Sequence, residues 1–319
     1  MNMKASIFTA APMAIIFAGL LPAADPQLLS MVMPDAKVMA GVNVDQAKAS
    51  PFGVFVLVQL QAQNQQLQQL IDPTGFDPTR DLNELLVASN GAQPKASSLV
   101  LARGTFDAGK IQSAALAGGA TIQPYGGTTL LLDPKGANAV AFLNGIAIAG
   151  DIASVKGALG RQNASPSFDP TLLTQVNQLS STEDAWAVSE IPPPAAALTP
   201  PANSPAPAVS AATMLQKITQ ASGGVKFNDP IVVTATAQTS NPTDATTIAG
   251  ELQFLANLGQ MQGQQNPQRA AILKSLTATA SGNSVQISLS VPEAQAEAAV
   301  QTGSNTTAQP NSRRPRRRL

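Results

Sequence analysis

The sequence predicts an α+β protein built from two diverged ferredoxin-like (split βαβ) units with antiparallel sheets, plus an N-terminal export signal and a disordered C-terminal tail. Three observations carry this expectation. Short apolar and β-branched runs alternate with helical patterns bounded by caps, prolines and glycines. The first half reads β-α-β-β-α-β, the order of a split βαβ unit. Two stretches of the second half echo the first: LLSMVMPDAKV at 28–38 against LLTQVNQLSSTEDAWA at 172–187, and GFDP at 75–78 against GVKFNDP at 224–230, each leading into a strand.

Residues 1–24 supply one lysine, an uncharged apolar stretch over 5–21, and small residues before the first acid, Asp25. Those are the three parts of a secretory signal. The stretch also approaches the ~20 residues that cross a bilayer, so an uncleaved N-terminal anchor is the alternative. Residues 36–44 read as a strand. Ser50 and Pro51 then start a helix to about Ile71, with Val56, Leu60, Leu67 and Ile71 on its apolar side. Strands follow at 82–88 and 97–103. Asp107 caps a helix over 108–117. A strand at 128–132, its hairpin partner at 139–149 and a helix over 152–159 complete the first unit, 25–165. In the second unit, 166–300, helices are expected at 211–220, 244–262 and from Pro292, with strands around 231–238, 276–280 and 284–291. The proline-rich stretch 192–207 has seven prolines and no charge, and reads as an inserted polyproline loop. Residues 301–319 form the polar, basic tail.

Composition narrows the chemistry. The 319 residues contain no histidine and no cysteine, which removes histidine triads, cysteine nucleophiles, disulfides and the usual zinc and haem ligands. Between residues 25 and 312 there are thirteen basic and nineteen acidic side chains, a net charge of −6, whereas 313–319 carry five arginines. The acidic body and scarce aromatics argue against nucleic acid as a partner. Arg313, Arg314, Arg316, Arg317 and Arg318 instead suit an anionic surface.

No motif recruits the remaining carboxylates, lysines and hydroxyls convincingly. Gly104 to Lys110 (GTFDAGK) fits the spacing of a phosphate-binding loop, but Ile111 stands where the magnesium-binding Ser or Thr belongs. The expected roles are a turn at Gly104 and a helix cap at Asp107. Asp72, Asp77, Asp81 and Glu84 crowd one stretch, without the alternation of a calcium loop and with Arg80 among them; turns and caps explain them better. A glycosidase needs only two carboxylates, but usually also aromatic platforms, and the chain has one Trp (Trp186, expected in the core) and one Tyr (Tyr125). The S-x-x-K motif of serine–lysine hydrolases is absent. No catalytic, cofactor-binding or metal-ligating residue is therefore assigned.

The signal, the opening PDAKVMAGVNVDQAKASPFG and the segment TGFDPTRDLNELLVASN resemble exported proteins of environmental bacteria built from tandem α+β units. The resemblance covers mainly residues 28–162. It implies export and fold class, and brings no activity, cofactor or catalytic residue. The functional expectation is an exported, non-enzymatic binding or structural protein of the cell envelope or periplasm. The alternative is an exported hydrolase using paired carboxylates; acids gathered in one concave pocket would favour it, and acids spread over caps and turns would not.

Overall fold

The computed structural model describes residues 24–63, 71–91, 96–192, 214–261 and 267–306. Among them, twelve strands join in a single sheet: β1 (Val38–Asn43), β2 (Leu82–Ser89), β3 (Ser98–Gly104), β4 (Thr121–Tyr125), β5 (Thr128–Leu132), β6 (Asn138–Leu143), β7 (Ile146–Asp151), β8 (Ala185–Ser189), β9 (Ile218–Lys226), β10 (Ile231–Thr239), β11 (Thr277–Ser281) and β12 (Ser284–Val291). Their order is β11-β12-β10-β9-β8-β1-β2-β3-β7-β6-β5-β4, and every neighbouring pair is antiparallel.

This corrects the split βαβ expectation. A split βαβ unit sets its first and third strands side by side and parallel, whereas here β1 pairs antiparallel with β2 and with β8. The two halves also do not keep separate sheets. Each would expose an unpaired inner edge, and the β1–β8 pairing satisfies both edges at once. Its register centres on Ala40 opposite Ala187. Outward from that seam the order is β1-β2-β3 on one side and β8-β9-β10 on the other.

Besides short helical stretches at 71–74 and 214–216, ten helices are described: α1 (Pro26–Met31), α2 (Val44–Lys48), α3 (Pro51–Gln63), α4 (Pro78–Asp81), α5 (Ala108–Ala117), α6 (Ile152–Arg161), α7 (Pro170–Ser180), α8 (Pro242–Met261), α9 (Pro267–Ser275) and α10 (Glu293–Thr306). Aspartates start many of them. The side chains of Asp25, Asp77, Asp107, Asp151 and Asp169 accept first-turn N–H groups of α1, α4, α5, α6 and α7. Each such cap contributes about 1 kcal/mol. α1, α6 and α7 cover one face of the sheet. Leu28, Met31, Val155, Leu172 and Val176 meet Met39, Leu86, Leu99, Leu101, Leu130, Ile146 and Ile148 there, all fully buried. Each buried Leu or Ile contributes roughly 1.5–3 kcal/mol, far more than the exposed ion pairs. Smaller clusters lie elsewhere. α8 packs Ala245, Ile248 and Ala249 on Ala237, Ala278 and Val285, and Phe52 of α3 meets Phe227 edge-on at 5.7 Å.

Several elements differ from expectation. Residues 218–220, expected as helix, begin β9, because pairing with β10 overrides a weak helical preference. The segment 139–149 is two strands, β6 and β7, reversed at Asn144-Gly145 with φ of 49° and 74°. α2, α4, α9 and β4 are elements that the sequence patterns do not predict. Leu60, placed on the apolar side of its helix, is 61% exposed, whereas Val56, placed there too, packs inward beside Phe52. α10 runs through Thr306, so residues 301–306 are helix, not disordered tail. No helix among the described residues is long and apolar enough to cross a membrane. The signal or anchor at 1–23, the inserted loop from 193 onward and the tail from 307 onward lie outside the described residues.

Candidate functional site: an apolar cavity beneath a helix

The face of β5–β7 turned away from α6 is apolar. Leu131 pairs with Val140, Val140 with Ala149, and Phe142 with Ala147, so one contiguous patch forms from alternate positions of three strands. α5 lies over it, but its sequence, AGKIQSAALA, is too small to fill the space. Of its ten residues only Ile111 is buried. The gap is a cavity of about 520 Å³ lined by Phe76, Phe106, Ile111, Ala114, Phe142 and the strand residues just named. Phe106 bridges Phe76 and Phe142, with ring centroids 5.6 Å apart on either side. Such a volume is within the ~300–1,000 Å³ of small-molecule sites.

Polar groups are few and stand at the rim. The Asp133 carboxylate accepts the N–H groups of Ala137 (2.7 Å) and Asn138 (3.1 Å) and the Asn138 side-chain amide (3.0 Å). The hydrogen bond from the Asn138 backbone leads in holding its pKa below the usual carboxylate range. A carboxylate so engaged is a turn element, not a base. The cavity can hold an apolar body, and its lining offers no nucleophile.

The sequence-derived candidates fall elsewhere. Asp107 caps α5 through the Lys110 N–H at 3.0 Å, and the Lys110 ammonium lies 3.4 Å from its carboxylate. Gly104 does not make a positive-φ turn. A side chain there would strike the Asp81 carbonyl, to which Thr105 N–H donates at 2.8 Å, so close approach selects the glycine. The crowded acids disperse. Asp77 caps α4, Asp81 accepts the Asp77 N–H at 2.8 Å and pairs with Arg80, and Glu84 turns to the helical face. No group of three or more acids able to hold a metal occurs among the described residues. Trp186 is 6% exposed and lies against Gly41 across the β1–β8 seam. The arginines of the tail are outside the described residues.

One constellation joins residues that no sequence motif connects. The Asp25 N–H donates to both Glu84 oxygens, at 3.1 and 3.2 Å. Arg103 grips the Asp25 carboxylate at 2.5 and 2.8 Å and reaches Gln27 at 2.9 Å. Burial, above all, pushes the Glu84 pKa up to about 7. The signal was present: Glu84 shares its strand face with Leu86 and Ala88, the buried face, so an acid stands at a core position of the alternation.

No family model matches this chain, and no curated protein matches it. Its fold is similar to crystal forms I and III of TP0453. Form I gives a TM-score of 0.51 at 11% identity over 89% of this chain and 99% of that one. Form III gives 0.53 at 9% over 88% and 99%. At such identities the likeness shows the fold alone.

Proposed function

We propose that the protein is an exported, non-enzymatic binding protein of the cell envelope, periplasmic or extracellular, that holds an apolar ligand beneath α5. The observation that carries this reading is the cavity itself: three phenylalanines and aliphatic side chains around about 520 Å³, with polar groups only at the rim. A body with that lining and volume is a hydrocarbon chain or a flat apolar ring system. Export rests on the sequence of residues 1–24. The halves meeting at the β1–β8 seam are read as diverged copies of one α+β unit. The support is the matched strand order on either side and the helix, α1 or α7, that precedes each inner strand. The carboxylate-hydrolase alternative finds a part-buried acidic pair in Asp25 and Glu84, and both are already engaged by a guanidinium and a backbone amide.

Saturable binding of 1-anilinonaphthalene-8-sulfonate, competed by a single-chain fatty acid, is the expected result for the purified protein. Ala114→Phe fills the cavity from α5 and should weaken binding at least tenfold, about 1.4 kcal/mol, with the melting temperature preserved. Equal binding by wild type and Ala114→Phe would remove the cavity as the site.

A further inference from the structure

The junction between the expected signal and the folded body is built into the core. Ala24 is 5% exposed within the main apolar cluster, and its N–H donates to the buried Ser180 hydroxyl at 3.0 Å. The next backbone nitrogen, that of Asp25, points at both oxygens of the partly buried Glu84 carboxylate. Arg103 is nearby, yet it is committed to Asp25, Gln27 and the Asn144 carbonyl; it makes no hydrogen bond or ion pair to Glu84. Thus, among the described residues, the one hydrogen-bonding partner of this inward-facing carboxylate is a neutral amide, a poorer match for a desolvated negative charge than a cation would be.

We propose that export processing hydrolyses the Ala24–Asp25 bond and that the new α-ammonium of Asp25 forms an ion pair with Glu84, a charged donor gained in exchange for the Ala24 packing and its hydrogen bond to Ser180. Water supplies hydroxyl to the Ala24 carbonyl carbon and a proton to the Asp25 nitrogen, which takes up a second proton at neutral pH; a signal peptidase is the catalyst class. The cut precedes folding, when the bond is exposed. This inference rests on the export reading and adds the register to it. A cut one residue earlier would leave a charged terminus on Ala24, among apolar side chains and facing a hydroxyl. A cut after Ala24 leaves it facing a carboxylate at 3.1 and 3.2 Å. The groups facing Glu84 are the Asp25 carboxylate, which disfavours its charge, and Arg103, which favours it. With residue 24 still attached, burial outweighs these partners and Glu84 titrates at about 7. A facing ammonium returns it to the ordinary carboxylate range.

Terminal mass spectrometry of the protein recovered from the envelope fraction of its host tests the register. Asp25 as first residue is the expected result. A chain that starts at Met1 and stays in the cytosol overturns export and this inference together, whereas a processed chain starting at any other residue overturns this inference and leaves export standing. Two purified chains, one starting at Asp25 and one retaining residues 22–24, test the pairing. Glu84→Gln should lower the melting temperature by several degrees at pH 7 in the first chain alone. Should the variant fail to fold, carbon-13 titration of Glu84 in the two wild-type chains decides. Its pKa should be near 7 in the extended chain and in the ordinary range in the other; equal values sink the proposal.

Discussion

Glu183 shows at the level of one residue what an unmatched buried acid costs. It is 7% exposed at the entry to β8, and one carboxylate oxygen has no hydrogen-bond partner among the described residues; the other is 3.5 Å from Thr182 and Thr234 hydroxyls. Burial, the largest influence, raises its pKa above the usual carboxylate value. A folded-state value above the unfolded one means that the folded chain holds the proton longer. The stability associated with Glu183 is therefore full below its unfolded pKa and is lost as pH rises through its folded one. Glu183→Gln should raise stability by about 1 kcal/mol at pH 8 and leave it nearly unchanged at pH 4, measured by urea unfolding. A larger gain at pH 4 would reverse the sign of this argument. Residue roles were legible where local chemistry decides them. Asp107 reads as a cap from its place before a helical run, and Trp186 reads as core from its strand. Glu84 and Asp25 were not legible as a pair, because 59 residues separate them and only the sheet brings them together.

Among the elements, α5 is weakly anchored to the core. One buried isoleucine and one capping aspartate hold it over a cavity. Asp107→Ala should cost about 1 kcal/mol and speed amide exchange across 108–117 selectively, leaving α6 and the strands beneath protected. Uniform exchange across the molecule would show that α5 does not open by itself. The bounds of α5 and β5 were read directly from sequence, since caps, turns and periodicity agree there. Misreadings follow from missing local signals. β4 is a mostly exposed edge strand interrupted by Pro124 and lacks apolar alternation. The apolar run 139–149 hid its reversal, although Asn-Gly is the dipeptide that a tight hairpin selects. Leu60 fits the helical period yet points outward, because the first turns of α3 are apolar on every side and only the partner, Phe227, chooses the inward face.

At the scale of the whole molecule, the acidic body and basic end remain a division of charge that the fold does not explain. Deleting 313–319 removes five arginines and no described packing, so the melting temperature should stay constant. Retention on anionic vesicles at low salt should fall, by roughly 1 kcal/mol per arginine near the surface, and the difference should fade as salt screens it. Equal retention of both chains would make the tail a passive end. The fold class was legible from alternating patterns, but the joining of both halves was not, because a sequence shows that a strand exists and not which edge it meets. That joining has a mechanical consequence. Hydrogen bonds run without a break from β11 to β4, the β1–β8 seam included, so the sheet behaves as a beam with no hinge about which two lobes could swing apart. A guest entering beneath α5 cannot rely on a clamshell motion. The stiff floor stays put, and admission falls to the roof, whose ten residues are fastened by a cap and a single side chain.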